Sequence, residues 1–300
     1  MKLGYIGLGK MGSQMVERLL GAGHEIVVTD VDAQAVEAMV AKGAQPASGY
    51  ADMAAQLGDG TVVWLMIPEQ FVGAEIEKLA EVLKEGSIVI DGGNSDYRNT
   101  LKNSKVLAQK DIELIDVGTS GGVWGLKKGF SMMIGGNEAA VAEIEPIIVD
   151  LAQKDGWGRM GEVGSGHFTK MVHNGIEYGV MQAFAEGYRV IKEGPFESVD
   201  LSKLAGVWQH GSINESFLNG LMENMLARDS DLGDVEGYVH ESGEARWTLE
   251  TAKELGIETP VIQAAFDVRL RSQEGDVNYA TRFLAQLRNE FGGHAINKEE

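Results

Sequence analysis

The stretch MKLGYIGLGKMG, residues Met1–Gly12, decides the fold of the amino-terminal half of the chain. Lys2–Ile6 is a short apolar run typical of a buried strand, and it leads directly into glycines at positions 7, 9 and 12 and then into a helical pattern. A G-x-G-x-x-G motif between a strand and a helix indicates a dinucleotide-binding turn. The diphosphate of such a ligand lies at the helix N-terminus, where free N–H groups and the helix dipole favour negative charge.

The glycines and one carboxylate define the predicted cofactor contacts. Gly7 allows the tight turn, Gly9 lets the backbone approach the diphosphate, and Gly12 lets the helix pack against the strand. Asp30 follows the second strand, Glu25–Thr29, about twenty residues beyond the glycines, where an acid holds the ribose hydroxyls. The predicted cofactor-binding residues are therefore Gly7, Leu8, Gly9, Lys10, Met11, Gly12 and Asp30, together with Asn94 from a later loop.

Asp30 also bears on which dinucleotide binds. Its carboxylate would repel the 2′-phosphate of NADP, and the next residues, Val31 and Asp32, provide no arginine to neutralise that phosphate. The alternative is that Lys10 or Lys42 supplies the compensating charge. We predict NAD as the cofactor.

Strand and helix patterns alternate through the rest of the first half. Predicted strands cover Thr61–Ile67, Ser87–Ile90, Ile112–Val117, Phe130–Ile134 and Trp157–Met160, with helices over Gln70–Leu83 and Glu138–Gln153. This order predicts a doubly wound parallel sheet of the Rossmann type, in which ligands bind at the carboxyl ends of the strands. Two glycine-rich loops lie there and carry candidate contacts, Asn94 in one and Ser120, Gly121 and Gly122, a possible anion nest, in the other.

Strand patterns almost vanish in the second half of the chain. Amphipathic helices are predicted over Gly166–Lys192, Asp200–His210, Asn214–Leu226, Ser242–Leu255, Pro260–Ser272 and Tyr279–Asn289. The length of 300 residues also favours two domains. We predict a dinucleotide-binding α/β domain over residues 1–162 and an all-α domain over residues 163–300. So few helices can cover only part of one another's apolar surface. We therefore expect a second copy of the chain to cover the rest, in a homodimer or homotetramer.

The first of these helices, GSGHFTKMVHNGIEYGVM at Gly164–Met181, carries its polar residues in an unusual pattern. Lys170, Asn174, Glu177 and Tyr178 follow the spacing of one helix face, and His173 lies at its edge. One interpretation is an ordinary solvated face. The other is catalytic, because an amine and a carboxyl two turns apart can act on different carbons of one substrate. A lysine base near neutral pH requires burial or a nearby cation to lower its pKa.

Composition excludes several classes of function. The formal charge of −19 argues against nucleic acid or an anionic membrane as a partner, so an anionic substrate would need a local basic pocket. The chain has no cysteine, which excludes disulfides and thiolate chemistry. No apolar run reaches the length of a membrane span, and no convincing metal-ligand cluster is present. We expect a cytoplasmic protein without a metal.

Several segments together resemble the 6-phosphogluconate dehydrogenase family. They are IGLGKMG, DGGNS, the SGG that ends at Gly122, KMVHNGIEYG, and a tail in which Arg288 and His294 stand six residues apart. The motifs occur in the order of the family and cover both halves of the chain. The chain lacks the second block of helices found in long members and is similar to the short, NAD-using branch, in agreement with Asp30.

The resemblance implies oxidative decarboxylation of 6-phosphogluconate to ribulose 5-phosphate and CO2, a step of the pentose phosphate pathway. It assigns Lys170 as the base that takes the proton of the 3-hydroxyl while hydride leaves carbon 3. It assigns Glu177 as the acid that protonates the carbon left by CO2, with Asn174 to orient hydroxyls.

The resemblance also implies the substrate contacts. Two departures from the family pattern affect them: Arg246 replaces a lysine before Trp-Thr, and Val268 stands where a phosphate arginine is expected, so that Arg269 or Arg271 would substitute. In the family the tail crosses to the partner subunit. The implied contacts are Asn94, Ser120, Gly121, Gly122, His173 and Asn174 for the carboxylate and hydroxyls, and Tyr178, Arg246, Arg269, Arg288 and His294 for the phosphate.

Two other readings stay open. A β-hydroxyacid dehydrogenase of the 3-hydroxyisobutyrate type shares the first half, the SGG loop, the lysine and the asparagine, but it has no carbon to reprotonate, so Glu177 would be idle. A dinucleotide-binding sensor without turnover would need the glycines and Asp30 but not Lys170.

Overall fold

A computed structural model describes residues 1–294 of the chain. The chain divides into two compact units, the first covering Met1–Met171 and the second beginning at Val172. The domain boundary predicted from the sequence at residue 162 stays a prediction. Within residues 1–294 no helix is both long and apolar enough to cross a membrane.

The first unit is built on an eight-stranded sheet with the order β3-β2-β1-β4-β5-β6-β7-β8. All neighbouring strands run parallel except β6 and β7, which are antiparallel. The strands are β1 (Lys2–Ile6), β2 (Glu25–Thr29), β3 (Gln45–Pro46), β4 (Val62–Leu65), β5 (Ile88–Asp91), β6 (Glu113–Ser120), β7 (Phe130–Gly135) and β8 (Ala152–Gly161).

Helices cover both faces of this sheet, as the alternating pattern predicts. Neighbouring residues of one strand enter different cores: Trp64 packs in one apolar cluster, whereas Val63 and Leu65 pack in another. The sheet is therefore doubly wound and buried on both faces. The helices of this unit are α1 (Lys10–Gly21), α2 (Ala33–Val40), α3 (Tyr50–Leu57), α4 (Glu69–Val82), α5 (Tyr97–Ala108), α6 (Gly125–Lys128) and α7 (Glu138–Leu151).

The structure differs from the sequence prediction at several elements. The sheet is doubly wound and parallel as predicted except at β7. This strand runs antiparallel to β6 because residues 121–129 form only a 3-10 turn and the one-turn helix α6, and a parallel crossover needs about a dozen residues or more. Helices α2, α3, α5 and α6 and strand β3 were not predicted. The remaining strands and helices form where the pattern places them, with ends shifted by a few residues.

The second unit is helical. Its aromatic core brings Tyr188 against Phe283, with ring centroids 4.9 Å apart, and against the edge of Trp208 at 5.5 Å. Helix α8 begins in the first unit and continues into the second. The helices are α8 (Ser165–Lys192), α9 (Leu201–Trp208), α10 (Phe217–Arg228), α11 (Glu244–Glu254), α12 (Pro260–Gln273) and α13 (Tyr279–Gly292).

Candidate functional site

The glycine turn between β1 and α1 has the geometry that a bound diphosphate requires. Gly7 has φ +97°, and a Cβ there would lie 2.4 Å from the carbonyl oxygen of Met66, the residue that follows β4. A Cβ at Gly12 would lie 2.1 Å from the Gly7 carbonyl oxygen, so the helix touches the turn. A Cβ at Gly9 would meet no atom within 4 Å. Positions 7 and 12 are therefore closed by protein, while the backbone at Gly9 faces open space that a ligand can approach.

Asp30 is held by two backbone amides at the end of β2. Its Oδ2 accepts a hydrogen bond from the Leu8 N–H at 2.5 Å, and its Oδ1 accepts one from the Asp32 N–H at 2.8 Å. A carboxylate has about four acceptor positions, so the ribose hydroxyls of a dinucleotide can still bind. Lys42, one of the two cations considered as compensation for this charge, instead pairs with Glu17 at 2.5 Å.

The loop after β5 is fixed by a buried carboxylate. Asp91 accepts hydrogen bonds from the Ser95 hydroxyl at 2.8 Å and from the Gly93 N–H at 3.2 Å. Asp91, Gly92, Gly93 and Ser95 are all buried, whereas Asn94 is exposed. The turn thus presents the Asn94 side chain at the carboxyl end of a central strand, where ligands of such sheets bind.

The SGG loop continues from the end of β6. Ser120, Gly121 and Gly122 are each half-buried, and both glycines have positive φ, +129° and +53°. Consecutive amides in this kind of turn can point toward one anion.

Lys170 lies on the second turn of α8 and is buried, with 6% of its surface exposed. A Cβ placed at Gly118 of β6 would lie 2.3 Å from the Lys170 Cβ, so the lysine stem rests directly on the strand. The enclosure that the sequence interpretation required for a lysine base is therefore present at this residue.

Asn174 and Glu177 follow Lys170 along α8, and both are half-buried. His173 joins them: its Nδ1 lies 3.0 Å from the Asn174 Oδ1 and 3.9 Å from the Glu177 Oε2. The helix therefore carries an amine, an amide and a carboxyl over about two turns.

Two buried arginines and a tyrosine form a cationic cluster in the second unit. The Arg269 guanidinium carbon lies 3.1 Å from the centroid of the Tyr178 ring, and Arg269, Arg288 and Tyr178 are 1%, 5% and 4% exposed. The Tyr178 hydroxyl lies 3.4 Å from the Ser242 hydroxyl. Among the residues that the structure describes, the buried Nη2 of Arg269 has no hydrogen-bond partner. An anion would supply one.

The pKa shifts of the two buried arginines also favour the binding of an anion at this cluster. The pKa of Arg269 is lowered to about 10, mainly by burial and in part by the neighbouring Arg288, while Tyr178, Glu177 and Glu244 act in the opposite direction. Burial also lowers the pKa of Arg288. Both shifts mean that the charged guanidinium groups lack some of the stabilisation that water gives them, and a bound anion would restore it.

The structure separates the remaining cationic candidates. Arg271 is exposed and lies 3.5 Å from Asp276, so Arg269 is the arginine of α12 that reaches the cluster. Arg246 is half exposed and forms an ion pair with Glu241. His294 is half-buried; its backbone carbonyl accepts a hydrogen bond from the Asn289 amide at 2.7 Å. The role of Arg246 and His294 at this cluster stays a prediction.

Sequence reasoning missed Glu244 and Ser242. Glu244 is 4% exposed at the start of α11 and acts on both buried arginines. Its only sequence signal is its position in the Gly-Glu-Ala-Arg segment, two residues before Arg246. Within residues 1–294 no group of three or more His, Cys, Asp or Glu side chains could hold a metal ion.

Comparison with known proteins gives matches over both halves of the chain. Residues 2–164 match the family described as the NAD binding domain of 6-phosphogluconate dehydrogenase, and residues 166–298 match the 6-phosphogluconate dehydrogenase C-terminal domain. A Haloferax volcanii protein named 6-phosphogluconate dehydrogenase, NAD(+)-dependent, decarboxylating, is 39% identical over 303 residues, covering 100% of both chains.

Solved structures show the same architecture. Plasmodium falciparum 6-phosphogluconate dehydrogenase, solved with NADP+ and with 6-phosphogluconate, is 29% identical with a TM-score of 0.82, covering 92% of this chain and 63% of that one. A Mycobacterium tuberculosis 3-hydroxyisobutyrate dehydrogenase has a TM-score of 0.75 at 19% identity, covering 94% of this chain and 97% of that one. The second likeness concerns the fold alone.

Replacing Arg269 with methionine should remove anion binding without destabilising the protein. Because the folded-state pKa of Arg269 lies below the value of the unfolded chain, its charge opposes folding at neutral pH, and this cost is relieved only as the pH rises through about 10. We expect the Tm of Arg269→Met at pH 7 to equal or exceed that of the wild type. Inorganic phosphate should raise the Tm of the wild type but not that of the variant.

Arg271→Met is the matched control, because it removes an exposed arginine from the same helix. It should keep the response to phosphate. A fall of several degrees in the Tm of phosphate-free Arg269→Met, or an unchanged phosphate response, would contradict the prediction.

Proposed function

The chain belongs to the 6-phosphogluconate dehydrogenase family, and from this premise we propose that it oxidises and decarboxylates 6-phosphogluconate to ribulose 5-phosphate and CO2 with NAD. The observation that carries the proposal is the buried Arg269–Tyr178–Arg288 cluster. Two desolvated guanidinium groups are costly unless an anion pairs with them, and planar guanidinium groups match the geometry of phosphate.

The chemistry follows from the groups on α8. Lys170 would accept the proton of the 3-hydroxyl while the hydrogen on carbon 3 leaves as hydride, taking the electron pair of the C3–H bond with it. NAD, when bound, accepts that hydride. The resulting 3-ketone draws electrons from the C1–C2 bond, so that the carboxylate leaves as CO2 and an enediol remains. The protonated Lys170 would hydrogen-bond the oxygen on carbon 3 during this step, which favours the developing charge.

Glu177 would complete the reaction. It would give a proton to the carbon that lost CO2, which is carbon 1 of the product. Seven residues separate Glu177 from Lys170, a rise of about 10 Å along the helix. The base and the acid can therefore serve different carbons of one extended sugar acid. Asn174 and His173, which contact one another, would orient the hydroxyls in between.

The other contacts of the substrate follow the same division. Asn94 and the Ser120-Gly121-Gly122 loop would bind the carboxylate and nearby hydroxyls. The phosphate would bind Tyr178, Arg269 and Arg288, with Arg246 and His294 as further cations.

NAD is the proposed cofactor rather than NADP. Asp30 is fixed by two amides and cannot turn away from a 2′-phosphate without breaking both bonds. At the same time Lys42 is engaged by Glu17. The Haloferax volcanii relative, named as NAD(+)-dependent, supports the same choice.

The β-hydroxyacid dehydrogenase remains the second candidate. Its solved representatives share the fold at 19–20% identity. A small unphosphorylated acid would leave the buried arginines of α12 and α13 without an anion, which is why we prefer 6-phosphogluconate.

A cofactor-reduction assay tests the proposal directly. Purified protein should reduce NAD in the presence of 6-phosphogluconate, release CO2, and use NADP with a lower kcat/KM because of Asp30. Absorbance of the reduced cofactor and trapping of CO2 give the two measurements. Reduction with 3-hydroxyisobutyrate but not with 6-phosphogluconate would establish the second candidate. NAD binding without any reduction would indicate a sensor.

Lys170→Ala should lose about 10²–10⁴-fold in kcat, because a positioned general base contributes about that much. The Kd for NAD should stay unchanged, as measured by titration calorimetry. The matched control is Lys154→Ala, which removes an exposed lysine of β8 and should keep full turnover. Near-native kcat in Lys170→Ala would show that another group is the base.

We also propose that the protein forms a homodimer or homotetramer through α8. Ile176, Val180, Ala183, Gly187 and Val190 are all exposed and follow a 4-3-4-3 spacing, which is the seam of a coiled coil. A stripe of this length on a helix is costly to leave in water. Exchange of the tail between subunits remains a proposal from the family resemblance; in this chain Arg288 lies beside groups of its own unit.

Val180→Glu should dissociate the oligomer, because it buries a charge in an apolar seam. Sedimentation equilibrium should report a dimer or tetramer for the wild type and a monomer for the variant. Val207→Glu, which places the same charge on the exposed surface of α9, should leave the assembly intact. A monomeric wild type at micromolar concentration would refute the proposed interface.

A further inference from the structure

The helix that carries Lys170 has no cap of its own. Gly164 occupies the N-cap position of α8 with φ +92°, and it has no side chain that could accept from the first turn. Asp116, a fully buried residue of β6, supplies the hydrogen-bond acceptors for this helix start. Its Oδ1 accepts from the Gly164 N–H at 2.6 Å and its Oδ2 accepts from the His167 N–H at 2.7 Å.

These two bonds are those of a capping box, made here by one carboxylate from another element. In a local capping box one side chain bonds the N–H of the third helical residue and a second bonds the N–H of the cap. Asp116 bonds both, and its negative charge lies at the positive end of the helix dipole. The start of α8 is thereby tied to the sheet and does not depend on its own sequence.

The backbone is shaped around this carboxylate. Gly135 faces Asp116 across the β6–β7 pair, and a Cβ there would lie 2.5 Å from the Asp116 Oδ1. A Cβ at Gly166 would lie 2.6 Å from the Asp116 carbonyl oxygen and 2.5 Å from the Met133 carbonyl oxygen. The first turn of α8 therefore rests in van der Waals contact with two strands, which leaves it little freedom to shift.

A second tether holds the same turn from the side of α5. His167 is 1% exposed, and its Nδ1 lies 2.7 Å from the hydroxyl of Thr100, which is fully buried. Asp116 bonds the backbone of His167 and Thr100 bonds its ring. The residue one turn before Lys170 is thus fixed from two directions.

Strand β6 also determines the position of the lysine itself. Asp116, Gly118 and Ser120 alternate along the strand and lie on one face. Asp116 caps the helix, Gly118 accommodates the Lys170 stem, and Ser120 begins the loop proposed to hold the substrate carboxylate. The distance between the lysine and that loop is therefore set by the rise of a single strand.

We infer that Asp116 is a positioning residue for Lys170, with Thr100 as a second one that acts through His167. The inference rests on the proposed role of Lys170 as the base. Misplacement of a reacting group by about 1 Å can cost about 100-fold in rate. Loss of the cap would let the first turn of α8 fray and would move the amine without removing it.

Asp116→Asn tests the inference with little change in shape. An amide can accept one of the two N–H groups but presents its own N–H to the other. We expect kcat for 6-phosphogluconate oxidation to fall about 10- to 100-fold, with KM and the Kd for NAD within about twofold of the wild type. Thr100→Val, which removes one hydroxyl at nearly constant volume, should lower kcat by about 3- to 10-fold.

A double-mutant cycle separates positioning from general destabilisation. If Asp116 acts through Lys170, Asp116→Asn should cost less than about threefold in kcat when Lys170 is already alanine. Asp200→Ala, which removes the cap of α9, is the matched control and should lower the Tm while leaving kcat unchanged. The inference would be overturned if the kcat losses of Asp116→Asn and Lys170→Ala multiplied in the double variant. An unchanged kcat in Asp116→Asn would overturn it as well.

Amide hydrogen exchange gives a readout that does not depend on the substrate. Peptides covering residues 164–170 should exchange faster in Asp116→Asn than in the wild type, while peptides from α9 should not change. Unchanged exchange would refute the cap whatever the reaction is. A wild type that does not oxidise 6-phosphogluconate would refute the proposed function alone, because the exchange result would still decide whether Asp116 holds the helix.

Discussion

The site depends on where helix α8 begins. Within a few turns this helix presents Lys170, Asn174, Glu177 and Tyr178, so a shift at its start would move all of them together. A glycine-rich start provides no local means of stopping such a shift. The protein solves this by placing a buried carboxylate of β6 at the helix end and by removing side chains wherever helix and strands meet. Precision at the polar face is thus a property of the sheet as much as of the helix.

The buried arginine cluster differs in charge from the chain as a whole. The chain carries a net charge of −19, yet two arginines with very little exposure lie beside Tyr178. The carboxylates Glu177 and Glu244 partly offset them, and the anion that we propose would complete the cluster. An acidic surface would repel anionic metabolites in general, whereas the proposed phosphate site would select one whose phosphate fits two fixed guanidinium groups.

The parts of the fold that depend on local sequence could be predicted. The glycine turn and Asp30 were found because the motif has a fixed spacing, and α8 was found because its apolar and polar faces are clear. The strand β7 was predicted, but its antiparallel direction was missed because that direction depends on how little chain joins it to β6. Asp116 was missed because an acid inside ELIDVGTS gives no sign of its partner, a helix start 48 residues later. Arg269 and Arg271 could not be separated until the structure showed which faces Tyr178.

The two amide bonds of Asp30 have a consequence for protein engineering. The carboxylate that we propose to discriminate against a 2′-phosphate also accepts hydrogen bonds from the Leu8 and Asp32 amides. The proposed selectivity and the support of the loop would then depend on one side chain. A redesign toward the phosphorylated dinucleotide therefore cannot stop at charge reversal; it needs a new acceptor for those amides elsewhere in the loop.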